Sequence, residues 1–177
     1  MADQVDRILE QWKSERPDLD VSPMAIIGRL SRTALAVDGR LAATFARYGL
    51  DASAFDVLAT LLRSGSPYRI TPAALARDAM ISTSAVAQRL NKLQGRDLVS
   101  RESNPHDGRG TLVALTDAGK RLVEAALVPH VETERSITAV LTDEEQSLLI
   151  ALLQRISEAA AMSPAGAAVH AASTEET

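Results

Sequence analysis

A chain of 177 residues that is 46% hydrophobic but only 3% aromatic holds one domain, or one domain plus a dimerisation arm, with a core of Leu, Val, Ile and Ala. That composition favours helix over sheet, and a formal net charge of -4 leaves nucleic-acid binding to be decided by where the basic residues lie. The absence of cysteine excludes disulfides, thiolate nucleophiles, zinc–thiolate sites and thiol redox sensing.

No apolar run approaches the roughly 18 residues of a membrane span. The N-terminal stretch is acidic and periodic, unlike a signal peptide, so a soluble, cytoplasmic protein is expected. Residues 3–16 carry Val5, Ile8, Leu9 and Trp12 on one helical stripe, and Pro17 ends it. After a linker, Ser22-Pro23 gives a start signal for a second helix reaching about Tyr48. Its apolar positions, from Ile26 to Phe45, wrap more than one face, which points to a partner chain. Gly49 is its expected C-cap. Asp51 or Ser53 caps a third helix through Leu62.

The stretch from Thr71 to Thr116 organises the rest. A short helix over Thr71–Ala79, a tight turn and a second helix from near Ser82 have the register of a helix-turn-helix. A β-ribbon from Leu98 to Leu115, folded at Asn104-Pro-His-Asp-Gly-Arg-Gly, reads as a wing. Leu75, Ala76, Ile81, Val86, Leu90 and Leu93 are the expected inner face. Thr83, Ser84, Gln88, Arg89, Asn91 and Lys92 are the expected outer one, with the hydroxyls, amides and cations that reach base edges and phosphates in a major groove. Arg109 at the ribbon tip has the reach and charge for a minor groove. Thr116 caps a further helix containing Pro129. Thr142 with Glu145 forms a capping box that opens the last helix, and the segment 162–177 reads as a disordered tail. The fold expected is mainly α with a small β-wing, a winged helix-turn-helix over 51–116.

The stretch NPHDGRGTLVALTDAGK resembles the wing signature of the MarR family, matched by Asp107, Arg109, Leu115, Thr116 and Gly119. The resemblance covers about residues 23–160. It implies a homodimeric winged-helix repressor whose helices over 23–49 and 117–161 interlock the dimer and whose recognition helices bind a pseudo-palindromic operator in double-stranded DNA. It also implies that Asp107 braces Arg109. Gly108 departs from the family pattern, which often has arginine there. The added helix over 1–17, with its tryptophan, is similar to the urate-responsive subgroup. That likeness implies a ligand set of Trp12, Asp56, Arg63 and Arg89, and a small anionic ligand such as urate or, as in a related branch, citrate or aconitate. The residue types suit it. Asp56 and Arg63 are two turns apart, about 10.5 Å along one helix face. The guanidinium fork matches a flat anion, and the indole offers a stacking ring.

No histidine cluster resembles a metal site, and no phosphate loop or nucleophile–base pair appears, so no cofactor and no enzymatic activity are expected. The competing reading is a winged-helix protein-interaction module that does not bind DNA.

Overall fold

A computed structural model describes residues 2–79, 83–104 and 110–162, without the side chains of 83–85. Of the tail expected over 162–177, Met162 is instead the last residue of a helix, and 163–177, the turn at 80–82 and the ribbon tip at 105–109 lie outside the described residues. The chain divides into two compact units, residues 1–134 and 135–177.

In the first unit, α1 (Gln4–Glu15) opens with a capping box in which Asp3 and Asp6 each accept the other's backbone N–H. It docks on α2 (Pro23–Ala46) through Val5, which packs against Gly28, and through Arg29, which pairs with Asp3 at 2.9 Å and Asp6 at 2.6 Å. Ser22 precedes the proline as expected, but its own backbone is helical and its side chain makes no cap bond. Pro23 supplies the start by itself, because its fixed φ suits a first turn whose N–H would be unpaired anyway. Gly49, at φ +62, lets the chain turn in the left-handed region. Asp51 then caps α3 (Ala52–Arg63) by accepting from the Ala54 amide at 2.8 Å.

The helix pair follows as α4 (Pro72–Asp78), capped by Thr71, and α5 (Thr83–Gln94). The ribbon is β2 (Val99–Ser103) and β3 (Thr111–Leu115), antiparallel with Arg101 opposite Val113. A two-residue strand, β1 (Arg69–Ile70), joins the other edge of β3, giving the order β1-β3-β2. Its brevity explains why no alternation in the sequence announces it. Leu58 and Leu61 of α3, Leu75 of α4, Leu93 of α5 and Val113 of β3 are fully buried together, so α3 forms the floor on which the helix pair and the sheet rest.

α6 (Asp117–Thr138) starts at Thr116, whose hydroxyl accepts from the Gly119 amide at 3.0 Å. It runs unbroken past Pro129. In the second unit the Thr142–Glu145 capping box is formed, and α7 (Asp143–Met162) follows. None of the α7 residues is buried, although it carries Leu148, Leu149, Ile150, Leu152 and Leu153. On α2, Met24, Ile26, Ile27, Leu30 and Leu35 are likewise exposed. No helix among the described residues is long and apolar enough to cross a membrane.

Candidate DNA-reading face and adjoining cavity

α5 buries Val86, Leu90 and Leu93, one helical stripe that seats it on α3 and α4. The opposite side carries Gln88 and Lys92, both exposed as expected. Asn91 is exposed too, and its side-chain oxygen accepts from Arg101 at 2.8 Å, tying α5 to β2. Thr83 and Ser84 stand in the first turn of α5, with their side chains outside the described residues, as are Asp107 and Arg109.

Arg89 does not project outward as expected. It lies three residues after Val86 and four before Leu93, on the edge of the buried stripe, so its stem packs inward. Its guanidinium Nη1 reaches the Asp51 carboxylate at 2.5 Å, and its side chain is only 22% exposed. Its Nε is buried with no hydrogen-bond partner among the described residues. Asp51 thus serves two helices, with one carboxylate oxygen capping α3 and the other neutralising Arg89.

Behind the helix pair, a cavity of about 770 Å³ opens between α2, α3 and α6. Such a volume suits a small-molecule site. Its wall is mostly apolar. Phe45 and Phe55 stack at 4.5 Å between ring centroids, and the His130 ring lies 4.7 Å from Phe55. The polar groups are Ser53, Asp56 and Arg63 on α3, Asp38 on α2, and His130 and Glu134 on α6, so three carboxylates face one guanidinium. His130 Nε2 is 3.3 Å from Glu134, and its Nδ1 is buried without a partner among the described residues.

Of the ligand set implied by resemblance, the structure brings Asp56 and Arg63 together in this cavity, 3.8 Å apart. Trp12 and Arg89 do not line it. Trp12 is 41% exposed, near the end of α1 that leads into the linker. Arg63 also leaves the cavity at its other end, where Nη2 donates to the carbonyl of Asp78, the last residue of α4. The sequence reading missed Asp38, His130 and Glu134. The i, i+4 spacing of His130 and Glu134 puts them on one face of a helix, but nothing local says that this face meets α3. No group of three or more His, Asp or Glu among the described residues is placed to hold a metal ion.

A short helix and a longer one with a polar outer face, backed by a three-stranded antiparallel sheet and a helical scaffold, define a winged helix-turn-helix regulator. Residues 48–110 match the MarR family. The chain is 41% identical over 155 residues to the HTH-type transcriptional regulator PecS of Dickeya dadantii, spanning 88% of this chain and 93% of that protein. A MarR variant of Escherichia coli complexed with operator DNA superposes with a TM-score of 0.68 at 26% identity, over 78% of this chain and 99% of that one. BpsR of Bordetella bronchiseptica, whose DNA binding is regulated by 6-hydroxynicotinic acid, does so with a TM-score of 0.66 at 25% identity, over 73% of this chain and 90% of that one. The chain belongs to the MarR family of DNA-binding transcriptional regulators. These relatives set aside the reading of a winged helix that serves protein contacts alone.

Proposed function

We propose that the protein is a homodimeric repressor that binds a pseudo-palindromic operator and is released from it by a small anionic ligand bound in the α2–α3–α6 cavity. The observation that carries the reading is the double attachment of Arg63, to Asp56 inside the cavity and to the α4 carbonyl outside it. A ligand anion that recruits the Arg63 guanidinium competes with the Asp78 carbonyl, so the ligand-bound state holds α4 less firmly. Differential affinity of ligand for the two states then lowers DNA affinity by the same factor. Gln88, Asn91 and Lys92, with Thr83, Ser84 and Arg109, read and clamp the duplex, and Asp107 braces the wing. The exposed apolar faces of α2 and α7 are the surfaces offered to a second copy of the chain.

Between the two ligand classes, the lining favours a flat heteroaromatic monoanion such as urate over a tricarboxylate. Three carboxylates around one arginine repel a multiply charged anion but accept ring N–H donors. A heteroaromatic acid regulating BpsR is in keeping with this. Trp12 and Arg89 enter such a site only after rearrangement or from the second copy.

The test is a mobility-shift titration on the DNA upstream of the protein's own gene, with urate, xanthine, citrate and aconitate. Release by urate at or below about millimolar concentration is expected, and no release by any of them would remove the reading. Arg63→Ala should abolish the response while lowering operator affinity by no more than about fivefold, the worth of one hydrogen bond of ~1 kcal/mol.

A further inference from the structure

We propose that Asp51 restrains DNA affinity by holding Arg89 back from the duplex. The effect is on DNA binding in the absence of any ligand. Arg89 belongs to the recognition helix and is flanked there by the exposed Gln88 and Lys92. Its charge is nevertheless spent inside the protein, because Nη1 sits 2.5 Å from Asp51 Oδ2 and the side chain is 22% exposed. Asp51 is itself 58% exposed at the side chain and stands at the start of α3, next to that same helix. The pair therefore removes one cation from the reading face and adds a carboxylate whose own field opposes phosphate. Two further cations nearby are also engaged, Arg96 with the Gly49 carbonyl and Arg101 with Asn91. Lys92 is left as the cation of α5 without a partner among the described residues. In a chain whose net charge is -4, such restraint lowers sequence-independent attraction to DNA while leaving base readout by the amides intact.

The arrangement allows a clean perturbation. Asparagine caps helices as well as aspartate does, so Asp51→Asn keeps the bond to the Ala54 amide and removes only the charge that detains Arg89. The measurement is fluorescence anisotropy of the full-length protein on a duplex of unrelated sequence and on its upstream DNA, between about 0.05 and 0.2 M salt. The proteins compared are wild type, Asp51→Asn, Arg89→Gln and the double variant, each checked by thermal melting for an intact fold.

If each freed arginine adds one phosphate contact, Asp51→Asn steepens the slope of log K against log salt by about 0.9 per protomer, and binding to the unrelated duplex tightens by about eightfold per contact at 0.1 M salt. Arg89→Gln alone should leave the slope within about 0.3 of wild type, and the double variant should lose the whole gain. Three results overturn the proposal. One is an unchanged or weaker affinity in Asp51→Asn. Another is a gain that survives in the double variant, which would make the effect simple repulsion by Asp51. The last is a slope reduced by about 0.9 in Arg89→Gln alone, which would mean that Arg89 already touches phosphate.

Discussion

Among the described glycines, Gly119 has the least room for one more carbon. It sits in the first turn of α6, where its amide donates to the Thr116 hydroxyl. The same hydroxyl donates to the Asp97 carbonyl at 2.6 Å, and the Thr116 amide donates to Leu98 O at 3.2 Å. A Cβ built on Gly119 would lie 1.9 Å from Leu98 O and 2.9 Å from Leu98 C. Both are backbone atoms at the entrance to β2, so no side-chain rotation relieves the clash. The start of α6 must instead retreat by more than an ångström from the strand that leads into the wing. Overpacking a closed site costs about 1–3 kcal/mol, and a backbone obstacle places Gly119→Ala at or above the upper end. For a chain of this length that is a fall in Tm of about 6–12 °C. The control is the same substitution at Gly39 in α2, where an added Cβ meets nothing within 4 Å. There the entropy and helix-propensity gain alone should act, raising stability by about 0.5–1 kcal/mol. Calorimetry at one matched protein concentration, since the Tm of the proposed dimer would depend on it, decides the matter. A Gly119→Ala protein melting within about 2 °C of wild type would refute the close approach of α6 to β2.

Replacing Leu149 and Leu152 on α7 by lysine should leave the helical content unchanged but yield monomers in size-exclusion light scattering, with operator binding weakened by well over tenfold as one half-site is lost; a variant that stays dimeric would show that α7 is not the interface. Acid should release α1. The Asp3 carboxyl is held below its ordinary value of 3.8, chiefly by the Asp6 amide, and Asp6 chiefly by the Asp3 amide and then by Arg29. Because both values are depressed on folding, their contribution is fully present above about pH 4 and is lost as pH falls through the lower, folded-state values. Trp12, the single tryptophan, reports this by its emission. Arg29→Gln should move that change to higher pH, and an unmoved midpoint would count against the Arg29 bridge.

Elements with a strong local cause were legible in the sequence. The caps at Asp51, Thr116 and Thr142 rest on a side chain within three residues of its target, and the stripe Val86, Leu90, Leu93 on a period of 3.6. What escaped depends on distance along the chain. β1 is a strand only because β3 lies beside it, 45 residues on from Arg69 to its partner Ala114. His130 and Glu134 join the cavity only because α6 packs over Phe45 and Phe55. Arg89 illustrates the sharper limit. Spacing puts it on the edge of the buried stripe, and a stripe edge points outward or inward according to what stands opposite. Here it is Asp51, 38 residues earlier, whose own pattern announces nothing but a helix cap.

If the proposed ligand binds the cavity, these placements make α3 the part through which cavity and reader would communicate. Its N-terminal Asp51 holds the recognition helix and its C-terminal Arg63 holds the end of α4, while the face between them, through Asp56 and Ala59, lines the cavity. Val57, Leu58 and Leu61, wholly buried on the other side, keep α3 rigid between those two grips. A rigid bar fixed at both ends transmits a displacement instead of absorbing it. The proposed ligand, by shifting Arg63 by a bond length, would then act on α4 directly and on α5 through the tilt of the bar. Loosening the Asp51 grip alone should uncouple part of the response without unfolding the domain. Double-mutant cycles on Arg63 and Asp51, with operator affinity in the absence of ligand as the readout, should show non-additive coupling above the ~0.5 kcal/mol within which sites this far apart usually add. Strict additivity would mean that the two ends of α3 act independently and that the helix is a floor, with no part in transmission.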